Sequence, residues 1–221
     1  MSKIQTNSRK YEGECKFCGE SFSKRQMIGH LATCSKRGKQ GENLHFRFLI
    51  TSPYMKNYWL IVETNEDAKL KDLDKLIRNV WVECCGHLSM FGDYGSEIGM
   101  SRKIIGFLEP GDSIPYTYDF GSSTELVVKV LDYSPYDLTD KKNIELVARN
   151  YPPDFRCQVC GKTALKVCPY CVEEEPAYFC QNCAESHEES GDDCCLMDIS
   201  NSPRSGVCGY ETSDPIDKLF I

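Results

Sequence analysis

Residues 44–63 read LHFRFLITSPYMKNYWLIVE. Two apolar runs in this stretch, LHFRFLI and YWLIVE, are separated by TSPYMKN, a segment whose Pro, Ser and Asn are typical of turns. Apolar runs of this length on either side of a turn segment predict two strands joined as a β-hairpin. The predicted hairpin begins the middle part of the chain, and the other predicted elements of that part follow it.

The segment after the hairpin, DAKLKDLDKLIRNVWVECC, has the spacing of an amphipathic helix. We expect Asp67 to cap its first turn, because Asp accepts backbone N–H bonds at helix starts. The apolar positions that set the period are Leu70, Leu73, Ile77, Val80 and Trp81.

Further strand patterns follow a glycine-rich loop, GHLSMFGDYGSEIG. They are RKIIGFL, IPYTYDF and TELVVKVLDY, with NIELVAR (143–149) as a last strand. A hairpin, one main helix and more strands predict an α+β fold with a mixed or antiparallel sheet.

Two breaks divide the chain into three predicted domains. SKRGKQGEN (35–43) is polar and contains glycine, and YPPDF (151–155) has two prolines that neither a helix nor a central strand tolerates. The predicted units are an N-terminal segment, 1–41, a middle domain, 44–150, and a cysteine-rich segment, 155–221.

The N-terminal unit contains CKFCGESFSKRQMIGHLATC, residues 15–34. Cys15 and Cys18 have the spacing of a zinc knuckle, and His30 and Cys34 would share one face of a helix at positions i and i+4. We therefore predict a Cys-Cys-His-Cys zinc finger.

The C-terminal unit contains three CxxC pairs. One of them, CPYC, has the spacing of a dithiol oxidoreductase, but repeated pairs are far more typical of tetrahedral zinc sites than of redox sites. The predicted ligands, enough for two zinc ions, are Cys157, Cys160, Cys168, Cys171, Cys180, Cys183, His187 and Cys194.

Two arrangements of these ligands are open. In the sequential one the first two CxxC pairs share an ion. In the interleaved one, which we favour because crossed pairs brace a unit with little core, the first and third pairs share an ion. Cys195 or Cys208 can replace Cys194 as the last ligand. With the finger, three Zn²⁺ ions are expected.

Charge is distributed unevenly along the chain, whose net charge is -7. Residues 1–41 carry nine Lys and Arg against three Asp and Glu, whereas the rest is acidic. A basic arm on an acidic body suggests weak, salt-sensitive contact with nucleic acid or a ribonucleoprotein, and a solvated surface or a protein partner is the alternative. The basic residues predicted to contact nucleic acid are Lys24, Arg25, Lys36, Arg37 and Lys39.

No stretch approaches 18 apolar residues, and the first residues have no hydrophobic segment typical of a signal peptide. We therefore expect a cytoplasmic protein with no membrane contact, in which paired cysteines bind metal instead of forming disulfides.

Four pieces, LHFRF, KLKDLDKLI, GHLSMF and YTYDFGSSTEL, occur in an order that resembles the Ri-plasmid open-reading-frame-three-like family, which includes insertion-sequence passenger proteins. The resemblance covers residues 44–150, and NSPRSGVCGY resembles a zinc-bearing extension of archaeal-type members. It implies a fold and no particular activity.

The function that these patterns favour is a zinc-binding, non-catalytic adaptor. The alternative is a metal-dependent or acid-base hydrolase or transferase with a site near His87 and Asp119. Against it, we expect Asp119 and Gly121 to shape a turn, with Gly121 taking positive φ. Cys84 and Cys85 lie outside both zinc patterns, and we expect buried free thiols there.

Overall fold

The computed structural model describes residues 12–38, 40–139, 143–171, 177–188 and 195–211. Within these ranges the chain forms strands and three α-helices. The strands are β1 (Glu12–Cys15), β2 (Ser21–Ser23), β3 (Gln40–Thr51), β4 (Trp59–Thr64), β5 (Ser89–Phe91), β6 (Ser113–Tyr118), β7 (Thr124–Tyr136), β8 (Ile144–Asn150), β9 (Lys166–Cys168), β10 (Ala177–Phe179) and β11 (Met197–Asp198). The helices are α1 (Lys24–Leu31), α2 (Leu70–Ile77) and α3 (Gln181–Glu188).

Eight strands form one sheet in the order β2-β1-β8-β4-β3-β7-β6-β5. Every neighbouring pair in it is antiparallel. The predicted hairpin is β3 and β4, which pair in register from Phe46 opposite Thr64 to Thr51 opposite Trp59. The predicted α+β fold class is therefore confirmed, with a sheet that is antiparallel throughout its described strands.

The main core lies between one face of this sheet and α2. Helix α2 continues into a short π-helical segment, the π-turn, at Arg78–Val82. Leu70, Leu73 and Ile77 are fully buried along one side of α2, as the helical spacing predicts. They pack in one cluster with Phe48 and Val62 of the hairpin. The middle of the chain therefore has an apolar core that needs no metal.

The predicted cap of α2 is wrong. Lys69 occupies the N-cap position, and the Asp72 carboxylate accepts its backbone N–H at 2.8 Å. Asp67 instead forms an exposed ion pair with Lys103 at 3.0 Å. The chain turns around Asn65, whose side chain accepts the Asp67 N–H, so the helix begins later than Asp67.

The prediction of a strand at RKIIGFL is also wrong. This segment forms turns, with Gly106 at a φ of 74°, a conformation that a strand does not contain. Ile104 and Leu108 are nevertheless buried in the main core, which explains the apolar pattern. Conversely, the loop predicted around residue 90 contains the short edge strand β5.

The N-terminal segment belongs to the same sheet. Strand β1 pairs with β8, and a Cβ atom at Gly13 would lie 2.1 Å from the Arg149 carbonyl oxygen, so only glycine permits this close approach. Helix α1 buries Met27 and Leu31 in a second cluster with Trp59. Because Trp59 alternates along β4 with residues of the main core, α1 covers the other face of the sheet.

The C-terminal segment forms a separate three-stranded sheet in the order β10-β9-β11. Its two apolar clusters are small, one around Val167 and one around Phe179. After β11 the chain returns to the main sheet, where Asn201 Nδ2 donates to the Asn150 carbonyl at 3.0 Å. Among the described helices, none combines the length and apolar character needed to cross a membrane.

Candidate metal centres

The first metal-binding set lies at the N-terminus, where Cys15, Cys18, His30 and Cys34 place their donor atoms within 4.8 Å of one another. Cys18 Sγ lies 3.3 Å from His30 Nε2. Tetrahedral zinc with one thiolate and one imidazole would separate these atoms by about 3.6 Å, so the geometry fits a zinc ion closely. The ring of Phe22 stacks on the imidazole at 4.1 Å and fixes its plane.

The local sequence explains how these ligands are positioned. Ser23 and Gln26 form a capping box that begins α1, so the helix starts just after β2. His30 lies in the last turn, and the chain continues without a break to Cys34. Burial raises the pKa of the Cys15 thiol to about 12, although backbone N–H groups oppose the rise. A bound cation would remove this penalty, because metal binding favours the thiolate.

The second set joins Cys157 and Cys160 to Cys180 and Cys183. Cys160 Sγ and Cys180 Sγ are 3.6 Å apart. The backbone N–H of Cys180 lowers the pKa of Cys157 to about 6 in spite of its burial, whereas a hydrogen bond with Cys180 raises that of Cys183 to about 12. A cation between the four thiols would favour the thiolate form of each, because a nearby opposite charge stabilises an ionised group.

The third set consists of Cys168, Cys171 and His187. Cys168 Sγ is 2.9 Å from Cys171 Sγ, and His187 Nε2 is 3.0 Å from that same Cys171 sulfur. Burial would raise the pKa of Cys168, but Cys171 and His187 lower it to about 7. The ring of His187 stacks on Phe179 at 4.2 Å.

The C-terminal ligands are therefore grouped in the interleaved order. Of the three residues considered for the last position, Cys194 lies outside the described residues. The backbone N–H of Cys195 approaches the Cys168 thiol and helps to lower its pKa. Cys208 lies elsewhere, beside His87.

The predicted basic arm is smaller than its sequence suggests. Arg37 does not lie on an exposed surface: its guanidinium is buried and donates to both oxygens of Glu63, at 2.8 and 2.5 Å. Lys24 is half-buried, and its pKa is lowered by burial and by nearby Lys56. Arg25 and Lys36 are exposed. Lys39 lies outside the described residues.

Asp119 is held by the fold. Its carboxylate accepts the Gly121 N–H at 3.0 Å and an Arg204 N–H at 2.6 Å. Burial would raise the pKa of Asp119, but Arg204 and the backbone N–H groups lower it to about 2. The predicted turn is present, but the left-handed φ, 63°, belongs to Asp119 and not to Gly121.

His87 lies near this carboxylate, with its Nε2 atom 3.6 Å from Asp119 Oδ2. A general base must accept a proton from a substrate, whereas this carboxylate is already occupied by Arg204 and by the turn. The arrangement therefore favours the structural interpretation of Asp119 over the acid-base one.

The expectation of free thiols at Cys84 and Cys85 is confirmed, in that neither forms a disulfide, but the expectation that they are buried is wrong. Cys84 is half-buried and Cys85 is exposed. They form a fourth set with His87 and Cys208, with all donor atoms within 4.8 Å of one another. The sequence signal was the compact C-C-x-H spacing in VECCGHL, which lacked a visible partner because Cys208 is distant in the chain.

Comparison with known proteins identifies no family for this chain, since no family model and no curated protein matches it. One solved structure, described as a protein of unknown function, MM3350, from Methanosarcina mazei Go1, is 19% identical with a TM-score of 0.36. The match covers 48% of this chain and 66% of the archaeal chain, and it is too loose to support an inference.

Proposed function

We propose that this chain is a zinc-dependent adaptor, which binds a macromolecular partner and has no catalytic activity of its own. The observation that supports the proposal is the composition of the metal-binding sets. Two of the three predicted sets have four thiol or imidazole donors each, within 4.8 Å of one another. Four protein donors of this kind leave no open position on tetrahedral zinc, which is the mark of a structural site.

The metal sites are also joined to the fold. Cys15 ends a strand of the main sheet, and Cys168 ends a strand of the C-terminal sheet. The small clusters around Val167 and Phe179 contain too little apolar surface to hold the C-terminal sheet alone, so zinc would supply much of its stability.

The partner that the charges favour is a nucleic acid or a ribonucleoprotein. Lys24, Arg25 and Lys36 lie in and just after the finger helix, and the last two are exposed. A single finger contacts only about three base pairs, so binding through this surface should be weak and largely independent of sequence. A protein partner is the alternative outcome of the experiment below.

The experiment measures binding of a single-stranded RNA and a duplex DNA by fluorescence anisotropy at several salt concentrations. The variant Lys24→Ala/Arg25→Ala/Lys36→Ala should flatten the slope of log K against log salt by about two to three units, roughly one for each phosphate group that the variant no longer binds. The matched control replaces three exposed lysines outside the finger, Lys71, Lys75 and Lys129, and should leave the slope unchanged.

Zinc content is measured on the same protein, purified without chelator. At least three zinc ions per chain are expected. A content of one or none would contradict the proposal. If zinc is present but the slope of the finger variant equals that of wild type, the arm is a solvated surface, and a protein partner becomes the better explanation of the finger.

A further inference from the structure

The fourth set lies where residues 201–210, the C-terminal extension, meet the middle domain. Cys84, Cys85 and His87 come from the loop that follows the π-turn, and Cys208 comes from the extension. His87 Nε2 and Cys208 Sγ are 3.4 Å apart although 121 positions separate them in the chain. This distance is close to the value of about 3.6 Å that tetrahedral zinc requires between a nitrogen and a sulfur ligand.

The loop that carries three of the donors is fixed by hydrogen bonds. The Glu83 carboxylate accepts the Gly86 N–H at 2.7 Å and the Tyr118 hydroxyl at 3.0 Å. Arg78 Nη1 donates to the His87 carbonyl at 3.0 Å. Gly86 has a φ of 74°, which turns the chain so that donors on both sides of it converge.

The extension is fixed independently of its cysteine. Ser202 Oγ donates to the Trp81 carbonyl at 2.5 Å, and Arg204 is fully buried against Asp119. Cys208 follows with a φ of 52°, a conformation that costs a residue with a side chain about 1 kcal/mol or more and persists only where the surroundings impose it. Both halves of the set are therefore positioned by the fold before any ion binds.

A buried arginine connects the set to the turn at Asp119. The Asp119 carboxylate lies 3.6 Å from His87 Nε2. Arg204 binds that carboxylate and also interacts with the Cys84 thiol, so one side chain of the extension contacts groups on both sides of the set. Three thiolates and one imidazole are a ligand set that zinc prefers over harder divalent ions such as Mg²⁺ or Ca²⁺.

We propose that Cys84, Cys85, His87 and Cys208 bind a fourth zinc ion, which fastens the C-terminal extension to the middle domain. This site goes beyond the three zinc ions of the proposed function. Cys85 and Cys208 are exposed, so the ion lies near the surface and exchanges more readily than the ions of the other sets.

The test counts zinc ions by native mass spectrometry in the full chain, purified under reducing conditions without chelator. Wild type should carry four ions, and Cys208→Ser should carry three. Leu88→Ser is the matched control, because Leu88 adjoins His87 but is 71% exposed, and it should retain four. Limited proteolysis gives a second readout: cleavage within residues 205–211 should be faster in Cys208→Ser than in wild type.

Equal zinc counts in wild type and Cys208→Ser would overturn the proposal, and so would unchanged proteolysis. A third such outcome is a wild-type protein mass 2 Da lower than expected after non-denaturing purification, which would show a disulfide within the set. If Cys208→Ser fails to fold, Cys85→Ser provides the same comparison at an exposed position. A loss of one ion on mutation supports the fourth site even if the total is below four. The proposed function fails separately if wild type carries one ion or none.

Discussion

Single residues determine which charges are available on the surface of this protein. Glu63 lies between two buried guanidinium groups: Arg37, which binds both of its oxygens, and Arg47, whose Nε donates at 2.9 Å. Burial would raise the pKa of Glu63, but the two arginines outweigh it and lower the pKa. Glu63 and Asp132, which lies 3.3 Å from Arg47 Nη1, together balance two cations that would otherwise be costly to bury.

At the residue scale we predict that Glu63→Ala lowers the free energy of unfolding by about 3–5 kcal/mol, because it leaves the buried Arg37 guanidinium without a counter-charge and Arg47 with only the half-exposed Asp132. Glu63→Gln keeps the shape of the side chain and should also be destabilising. The measurement is urea unfolding of the zinc-loaded protein. Lys103→Ala, which breaks the exposed pair with Asp67, is the control and should cost about 0–1 kcal/mol. Similar losses in Glu63→Ala and Lys103→Ala would contradict the prediction.

The burial of Arg37 could not be predicted from the sequence. It stands in the run SKRGK beside Lys36, and both side chains carry the same charge in the same polar segment. Their difference is produced by Glu63, which is 26 positions away and lies on strand β4. Phe17 and Tyr136, whose rings cover the guanidinium at 4.6 and 4.4 Å, are equally absent from the local pattern.

At the scale of the elements, we predict that the two sheets respond differently to removal of metal. Chelation should abolish hydrogen-exchange protection at the backbone amides of Val167 and Phe179, because the C-terminal sheet has three short strands and a small core. Protection at Phe48 and Val62 should remain, because these residues lie in the large core beneath α2. Hydrogen exchange followed by mass spectrometry before and after chelation makes the measurement. Loss of protection in both sheets together would show that they unfold as one cooperative unit.

The elements that the sequence predicts well are those with a strong period. The spacing of Leu70, Leu73 and Ile77 located α2, and the hairpin pattern located β3 and β4. The strand prediction for RKIIGFL is wrong because Ile104 and Leu108 are buried from a turn, in which Gly106 has a positive φ that an extended strand does not contain. The CxxC spacing indicates which cysteines lie in knuckles. Which knuckles share an ion depends on the path of β9 and β10, so the spacing alone allows both the sequential and the interleaved arrangement.

At the scale of the whole molecule, the C-terminal extension is packed onto the main sheet through Arg204. Its guanidinium lies over the Tyr118 ring at 4.9 Å and donates to the Ser122 carbonyl at 2.9 Å, in addition to its ion pair with Asp119. The extension therefore contributes a buried cation to the edge of the sheet that contains β6.

We predict that Arg204→Met lowers the free energy of unfolding by about 3 kcal/mol or more, because the Asp119 carboxylate loses its arginine partner and keeps only backbone N–H groups and the more distant His87 imidazole. Urea unfolding makes the measurement. Arg156→Met, which removes an exposed ion pair with Asp154, is the matched control and should change stability by about 1 kcal/mol or less. An equal effect of the two substitutions would mean that the extension does not stabilise the middle domain.

The sequence indicates that both faces of the main sheet are covered, but it does not indicate that the N-terminal finger covers the second face. All six residues of β4 are buried, which matches the uninterrupted apolar run in YWLIVE. Such a run indicates a strand that is covered on both faces, whereas the single helix predicted for the middle domain covers only one face of the sheet. The element that covers the second face could not be predicted from it, because the polar segment after Cys34 has the composition of a linker.

The crossed order of the two C-terminal sites has a consequence for synthesis. On the ribosome, Cys157, Cys160, Cys168 and Cys171 emerge before Cys180 and Cys183, so four thiols capable of capturing one ion are available before either native set is complete. An ion captured at that stage is held by the wrong pairs and must be released before the native sites form. For the proposed zinc sites we therefore expect ligand exchange to be one step of maturation, and we expect an early supply of zinc to slow that step.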